Sequence, residues 1–343
     1  MKTTLLGCNL SELGRIADTL NLPSFTASQI AEWLYAKGSV DFDSMTNISK
    51  RARAALEENC RIGRVLPSEV RVSEDGTKKY LFPAGNEGRY IETVMIPQND
   101  RFTLCVSSQI GCKMGCKFCM TGRQGFHGNL TAADIMNQFL SVDEFPKLTN
   151  AVFMGMGEPL DNYDNVKKAI EILTSDWGFG WSPKRITVST VGILPALKKY
   201  LEESRCHLAV SLHTPDSVQR AGMMPVEKAY GIADVVGLVK RYDFTGQRRV
   251  SFEYIMFEGV NDDKKHADAV VRLLRGLECR VNLIRFHTIP DSPLKPSSDA
   301  SMNLFMERLN RQGITTTIRA SRGQDIFAAC GLLSGSRNEK DKK

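Results

Sequence analysis

Three cysteines stand close together in the stretch from residue 111 to 129, GCKMGCKFCMTGRQGFHGN. They are Cys112, Cys116 and Cys119, and their spacing is C-x3-C-x2-C. Thiolates in such a pattern are typical ligands of soft metals and of iron–sulfur clusters. Three ligands would hold three irons of a 4Fe–4S cluster and leave the fourth iron open to a substrate. The spacing therefore predicts a catalytic cluster.

A closed zinc site is the alternative interpretation of these cysteines. Structural zinc takes four ligands, and His127 is the nearby residue that could supply the fourth. The glycines and Phe118 between the cysteines are more typical of a loop wrapped around a cluster than of a zinc ribbon. The cluster is therefore the favoured interpretation.

Polar residues also follow the ends of several predicted strands. In parallel α/β barrels the active site lies at the carboxyl ends of the strands. An open iron chelates amino and carboxylate groups, glycine lets a backbone approach closely, and a carboxylate accepts from an ammonium or a ribose hydroxyl. Each residue alone is more often structural, but together they suit an amino-acid-like ligand that carries a nucleoside. The residues at these ends are Gly155, Gly157, Glu158, Ser189, Ser211, Leu212, His213 and His287.

The elements that position these residues are predicted to form an α/β fold. From about Thr103 the pattern alternates between strands and helices through six units, which predicts a parallel sheet curled into a partial (β/α)6 TIM-like barrel over residues 101–333. Residues 67–100 are predicted to form a β-hairpin linker, with a turn at Asp75-Gly76. The polar tail, residues 334–343, is predicted to be disordered.

Residues 1–66 are predicted to form a small helical module. Apolar periodicity indicates one helix capped by Ser11, a second from about Ala27 to Ala36, and a third that starts at Asn47 or Ser49. A basic edge on such a module would suit RNA binding, and a solvated helix face explains the same residues about equally well. The basic residues of the third helix and its exit are Lys50, Arg51, Arg53, Arg61 and Arg64.

The composition is typical of a globular protein with reduced thiols. The chain has 343 residues, of which 42% are hydrophobic and 24% are charged. Nine cysteines are an odd number for a disulfide framework and favour a reducing cytoplasm. We find no apolar run of membrane-spanning length and expect neither a signal peptide nor a membrane partner. The net charge of +6 permits a nucleic-acid partner without requiring one.

Longer motifs resemble a known family. With Phe118 before the third cysteine, the loop is similar to the C-x3-C-x-φ-C motif of the radical S-adenosylmethionine superfamily. Over nearly the whole chain the sequence resembles the RlmN/Cfr family of RNA adenine methyltransferases. It is most similar to the branch that methylates C2 of adenine in 23S rRNA and tRNA. The motifs are CVSSQIGCKMGCKFCMTGRQGF, MGMGEPLDN, ITVSTVGILP, AVSLHTP, VNLIRF and IRASRGQDIFAACGLLSG.

The resemblance implies a set of cofactors and of residues that hold them. Cys112, Cys116 and Cys119 would bind the 4Fe–4S cluster, and two molecules of S-adenosylmethionine would be used per turnover. Phe118 offers an aromatic edge to the adenine. The family usually has Asn at the position of His287. The residues expected to contact S-adenosylmethionine are Gly157, Glu158, Ser189, Ser211, Leu212, His213 and His287.

The resemblance also implies that a cysteine carries the methyl group. Cys330 would be methylated first, and a 5′-deoxyadenosyl radical would then abstract hydrogen from that methyl. The methylene radical would add to C2 of the adenine and tether the RNA to Cys330. Attack by Cys105 on the Cys330 sulfur would release the RNA and leave a disulfide. The residue that removes the C2 proton stays open between Cys105 and Glu92. The remaining cysteines, Cys8, Cys60, Cys206 and Cys279, are predicted to be structural.

The expected partners are 23S rRNA, tRNA and a reductant such as flavodoxin, with the chain as a monomer. Three alternatives stay open: a C8 methyltransferase of the same family, a radical activase, and a non-catalytic zinc-binding RNA module. Arg285 in its NLIR stretch resembles the C8 branch, whereas Met120 in MTGRQGF favours the C2 branch. Besides the N-terminal module, RNA is expected to contact the basic rim residues Arg123, Arg285, Arg319 and Arg322.

Overall fold

The structure, a computed structural model, describes residues 2–85, 88–246 and 248–335. The N-terminal part is helical, as the periodicity predicts. A capping box starts the first helix at Asn9 instead of Ser11, because the Asn9 and Glu12 side chains each accept from the other's backbone N–H. Its elements are β1 (Thr3–Thr4), α1 (Leu10–Thr19), α2 (Thr26–Ala31), the π-helical turn Glu32–Ala36, α3 (Lys50–Asn59) and β2 (Cys60–Arg61).

Three antiparallel strands follow where the hairpins are predicted: β3 (Glu69–Val72), β4 (Lys78–Pro83) and β5 (Tyr90–Gln98). Gly76 has a φ of +82°, which the turn between β3 and β4 requires. The sequence also predicts a second turn at Asn86-Glu87-Gly88, of which residues 86 and 87 lie outside the described residues. On its other side β5 pairs with the first strand of the barrel, so these strands continue the main sheet.

The main sheet has ten strands, and its parallel part confirms the predicted strand–helix alternation. After β6 (Arg101–Cys105), the antiparallel pair β7 (Gln109–Gly111) and β8 (Phe126–Asn129) brackets the cysteine loop. The sheet is open, because it runs from β14 at one edge to β3 at the other. The strands parallel to β6 are β9 (Asn150–Phe153), β10 (Ile186–Thr190), β11 (His207–Ser211), β12 (Val250–Met256), β13 (Arg280–Arg285) and β14 (Thr315–Ile318).

Amphipathic helices connect the parallel strands and bury their apolar faces against the sheet. The pattern T-x-x-D from Thr131 to Asp134 predicts a capping box, and this box is present at the start of α5. No helix among the described residues is both long and apolar enough to cross a membrane. The helices are α4 (Met120–Arg123), α5 (Ala132–Leu140), α6 (Tyr163–Thr174), α7 (Leu194–Glu203), α8 (Ser217–Met223), α9 (Ile232–Val239), α10 (Lys264–Leu274) and α11 (Asp299–Arg311).

The helical module packs on the barrel through buried polar contacts as well as a shared apolar core. Asn137 on α5 accepts from the Val65 N–H at 2.8 Å and donates to the Val65 carbonyl at 2.8 Å. Arg64 donates to the carbonyls of Gly38, at 2.6 Å, and of Leu140. Arg64 therefore anchors the module to the barrel. In this structural role it differs from the exposed basic residues of α3. The domain boundaries at residues 66 and 100 stay predictions.

Candidate active site

At the start of the cysteine loop, directly after β7, the backbone of Gly111 and Cys112 packs closely against Gly125. The Cys112 N–H donates to the Gly125 carbonyl at 2.9 Å. Gly111 has a φ of +73°, and a Cβ on it would lie 1.9 Å from the Gly125 oxygen, so only glycine fits here. The three cysteines Cys112, Cys116 and Cys119 line one cavity of about 160 Å³ at the carboxyl ends of the strands.

Strand ends supply most of the remaining wall of this cavity, as the polar pattern predicts. The close approach at Gly157 (φ +98°) is to the protein itself, since a Cβ there would lie 2.5 Å from Cβ of Gln109. Leu212 lies in the apolar core, and neither it nor His287 is among the residues lining the cavity. Those lining it are Phe118, Gly155, Gly157, Glu158, Ser189, Ser211, His213, Glu253, Arg319 and Cys330, with the three cysteines and apolar neighbours.

Burial keeps the loop thiols protonated unless a cation replaces their protons. It raises the pKa of Cys112 to about 12 and raises the pKa of Cys116 and Cys119 as well. A metal cluster supplies the positive charge that ionises such thiols, so three soft donors facing one cavity fit a cluster. No metal-binding group of three or more His, Cys, Asp or Glu side chains is already assembled within the described ranges. His127, the zinc alternative's fourth ligand, is exposed on β8 and does not line this cavity.

Glu158 is buried at the end of β9 and accepts two backbone hydrogen bonds. Its Oε1 accepts from the Leu160 N–H at 3.1 Å and its Oε2 from the Val191 N–H at 3.0 Å. Burial nevertheless raises the pKa of Glu158 to about 7, because desolvation of the carboxylate outweighs these bonds. The side chain therefore joins two strand ends and presents an acceptor to the cavity.

His213 is a neutral imidazole that faces the aromatic residue of the cysteine loop. Its Nδ1 accepts from the Ile255 N–H at 3.0 Å, which places the ring proton on Nε2. Burial, with Arg220 nearby, lowers the pKa of His213 to about 3. The rings of His213 and Phe118 meet edge to face at 4.9 Å. Its left-handed backbone (φ +54°) is held by Asn261, whose Nδ2 donates to the His213 carbonyl at 2.6 Å.

Sequence reasoning missed Arg220, a fully buried residue on α8. It forms an ion pair with Glu227 and donates to the carbonyls of Ser211 (2.8 Å), Val191 (3.1 Å) and Leu212 (3.2 Å). These bonds fix the ends of β10 and β11 beside the cluster loop. No spacing in the sequence marks an arginine with this role. Glu253 was also missed, although a carboxylate within the apolar strand SFEYIM is a usable signal.

Cys330 lies at the junction of two cavities. It lines the cavity of the three loop cysteines, the cluster cavity, and also a neighbouring cavity of about 380 Å³. Arg319 and Ile284 likewise line both cavities. His287 and Arg322 line the second cavity. Cys330 is exposed, whereas Cys105 at the end of β6 is buried. Both are free thiols.

Cys105 lies near enough to Cys330 for the two thiols to interact electrostatically. Burial raises the pKa of Cys105 to about 12; Cys330 adds to that rise and Arg319 opposes it. The pKa of Cys330 is raised in the same way, mainly by desolvation, with Arg319 again acting against it. The arginine therefore favours the thiolate form of both cysteines.

Glu92 is placed differently from these cysteines. It is fully buried on β5 and lines neither of the two cavities. Its Oε1 lies 3.4 Å from the Lys79 ammonium, and its Oε2 accepts from the Ser334 N–H at 2.9 Å. The structure thus joins Glu92 to the C-terminal segment that carries Cys330.

The predicted RNA-binding residues differ in their exposure and in the protein groups that they contact. Arg285 forms an ion pair with Asp299, and Arg319 lies 3.4 Å from Glu253. Arg123 donates to the Pro290 carbonyl. Four of these basic residues are exposed to solvent, namely Lys50, Arg51, Arg61 and Arg123. Arg64 is half-buried and donates to the Gly38 carbonyl.

Comparison with known proteins decides the family. A model described as the Radical SAM superfamily matches residues 106–270, and one described as the ribosomal RNA large subunit methyltransferase N-terminal domain matches residues 3–62. A probable dual-specificity RNA methyltransferase RlmN from Porphyromonas gingivalis is 56% identical and covers 100% of this chain and 97% of the relative. The chain belongs to the RlmN family.

More distant relatives agree with this assignment. The dual-specificity RNA methyltransferase RlmN of Syntrophus aciditrophicus is 41% identical over 97% of this chain and 96% of its own. The crystal structure of a radical SAM methyltransferase from Sphaerobacter thermophilus is 38% identical, covers 97% of this chain and 100% of that one, and has a TM-score of 0.91. The predicted fold class and the predicted family are both confirmed. Membership of the radical SAM superfamily implies a 4Fe–4S cluster and S-adenosylmethionine as cofactors.

Proposed function

We propose that this chain methylates C2 of a specific adenosine in 23S rRNA and of an anticodon-loop adenosine in tRNA. The observation that carries the proposal is the position of Cys330, which lines both the cluster cavity and the neighbouring cavity. A methyl carrier needs such a position, between the source of the radical and the acceptor base. The dual-specificity RNA methyltransferases at 53–57% identity support the class of substrate.

The cysteine loop and the strand ends would hold the cofactors. Cys112, Cys116 and Cys119 would bind the cluster, while Glu158 and His213 would accept from and donate to bound S-adenosylmethionine. When bound, these cofactors supply a methyl group and a 5′-deoxyadenosyl radical. The use of two molecules of S-adenosylmethionine per turnover belongs to the proposal. The neutral His213 leaves the cavity without an added positive charge, which suits a cationic sulfonium ligand.

Residues of the chain would carry out the transfer itself. The Cys330 sulfur would bear the methyl group and later the RNA, bonded through its methylene carbon. The Cys105 sulfur would attack the Cys330 sulfur, so that the sulfur–carbon bond breaks and a disulfide forms. Arg319 would favour the attacking thiolate, since it opposes the raised pKa of Cys105. Cys105 or Glu92 would take the C2 proton, and for Glu92 this requires release of the Ser334 N–H.

Acceptor RNA would enter beside Cys330. Because C2 is inaccessible in a stacked helix, the target base has to be flipped into the cavity that His287 and Arg322 line. Exposed basic residues of α3, such as Lys50 and Arg51, would contact phosphates. We place the reaction in the cytoplasm, with a monomeric chain and a reductant such as flavodoxin as the electron donor for radical formation.

The methylated isomer in treated RNA tests the proposal. The protein, reconstituted with iron and sulfide, is incubated with S-adenosylmethionine, dithionite and either a 23S rRNA fragment or tRNA. Mass spectrometry of the digested RNA is expected to show 2-methyladenosine from both substrates and none with Cys330→Ala. Production of 8-methyladenosine alone would assign the chain to C8 chemistry. Colourless, iron-free protein after anaerobic purification would instead support the zinc alternative.

A further inference from the structure

The C-terminal segment of residues 323–335, which carries Cys330, is held from two sides. On one side it meets the cysteine loop, where the Met120 N–H donates to the Gly331 carbonyl at 2.8 Å. Next to it, the buried Thr121 hydroxyl donates to the Leu333 carbonyl at 2.6 Å. Both bonds lie just C-terminal to Cys330, and they tie the proposed carrier segment to the cysteine loop.

The β-hairpin holds the same segment from the other side. Asp75 accepts from the Gly323 N–H at 3.0 Å, and the Ser73 hydroxyl lies 2.5 Å from a carboxylate oxygen of Asp325. Deeper in the contact, the Lys79 ammonium donates to the Phe327 carbonyl at 3.3 Å. The β3–β4 hairpin therefore forms the edge of the sheet and also binds residues 323–335, the carrier segment.

A buried ion pair lies at the contact between the hairpin and the carrier segment. Lys79 on β4 and Glu92 on β5 lie diagonally across the strand pair, with side chains 4% and 1% exposed. Their charged atoms are 3.4 Å apart. The pair also bonds to the backbone on both sides of Cys330: Lys79 at Phe327 and Glu92 at Ser334.

The geometry of Phe327 shows what the lysine has to hold. Its φ is +53°, a left-handed conformation that an aromatic residue rarely adopts and that surrounding contacts must stabilise. The bond from Lys79 to its carbonyl fixes the orientation of that peptide. A buried charge pair is costly to desolvate, so one that fixes a strained backbone is best explained by the geometry it enforces.

We propose that Lys79 is a positioning residue for Cys330. It acts through the backbone at Phe327 and through Glu92, and it holds the sulfur between the two cavities. The inference rests on the proposed function insofar as Cys330 is the methyl carrier. Without Lys79, the segment opens more often, and radical formation is no longer matched by transfer to RNA.

The test compares Lys79→Met with the matched control Lys78→Met. Lys78 is the neighbouring residue on β4, but its ammonium pairs with Glu144 at 2.7 Å and with Asp143, away from the segment. Two quantities are measured in the reconstituted protein: the rate of amide hydrogen exchange in residues 323–335, followed by peptide mass spectrometry, and the 5′-deoxyadenosine formed per methylated adenosine.

We expect Lys79→Met to raise both quantities about tenfold, the change that losing a hydrogen bond to a charged group produces. Lys78→Met should leave both as in the wild type. Equal values for the two variants would overturn the proposal. If wild-type protein forms no methylated adenosine, the proposed function fails, while the amide exchange rates still test the role of Lys79.

A second variant covers the case in which Lys79→Met does not fold. Replacing both members of the pair, in Lys79→Met/Glu92→Leu, leaves no unpaired buried charge and is expected to restore folding. Amide exchange in residues 323–335 should be about tenfold or more faster than in the wild type, because the segment has lost the Lys79 bond to Phe327 and also the Glu92 bond to Ser334. Wild-type exchange in this folded double variant would contradict the proposal.

Discussion

The cysteine loop takes its three thiols from one short stretch, Cys112 to Cys119. The residues proposed to carry and release the methyl group, here called the carrier side, are Cys105, Cys330 and Glu92, and they come from three distant parts of the chain. The loop is closed locally, by the pairing of β7 with β8. The carrier side is closed by tertiary contacts alone, through the hairpin and the C-terminal segment. The two sides share a cavity but depend on different interactions, so variants should separate them.

The sharpest separation is expected between Cys116→Ala and Cys330→Ala. Loss of one of three ligands should remove bound iron, and with it both 5′-deoxyadenosine formation and RNA methylation, to below detection. Cys330→Ala should abolish methylation and retain iron, because Cys330 is supplied by a different segment. Iron analysis and mass spectrometry of RNA measure both effects. Loss of iron in Cys330→Ala would show that the two sides are not independent.

Arg220→Met probes the support of the cluster side. The substitution leaves Glu227 buried without its cation and three strand-end carbonyls without a donor. We expect a loss of about 4 kcal/mol in the free energy of unfolding, which urea denaturation measures. In the folded fraction iron binding should weaken, while amide exchange in residues 323–335 stays at the wild-type rate. Faster exchange would show that the strand ends also support the carrier side.

His213→Asn tests the electrostatics of the cluster side through pH. Because the pKa of His213 is lowered to about 3, the unfolded chain binds its proton below pH 6.5 while the native chain does not. Stability should therefore fall as pH falls, with a contribution of about 3 kcal/mol between pH 6.5 and 4.5. Asn tolerates the left-handed backbone and can accept from the Ile255 N–H, but it does not titrate. Denaturation at several pH values should show a shallower dependence in the variant; identical slopes would contradict the assignment.

Thr131→Ala is expected to have the smallest effect. It removes the capping box of α5, a local feature of the barrel that touches neither the cluster cavity nor the carrier segment. The expected loss is about 1 kcal/mol in the free energy of unfolding, without change in iron content or in amide exchange of residues 323–335. Chemical denaturation measures it, and Thr131→Ser, which keeps the cap, is the control. A change in iron content would extend the cluster side to α5.

Much of the fold was predictable because local patterns encode it. Alternation of strands and helices predicts the parallel sheet, and T-x-x-D at Thr131 predicts a helix start that the structure confirms. The start of α1 was predicted at the wrong residue because Asn9 competes with Ser11 as a cap, and the reciprocal bond with Glu12 decides in favour of Asn9. Helix α8 carries no signal for the role of Arg220, since a buried arginine is recognisable only by the carbonyls it meets.

The sequence by itself determined the cluster loop, because three ligands in one loop need only short-range geometry to face one cavity. It also determined the family, through motifs that extend over nearly the whole chain. Tertiary structure alone decided how Cys330 is held. The bonds from Lys79, Glu92 and Thr121 to its segment join residues more than two hundred positions apart, and no local pattern records such contacts. It also decided that Leu212 belongs to the core and that His287 lines the second cavity instead of the cavity of the three cysteines, because strand register and sheet curvature determine which side chains share a cavity.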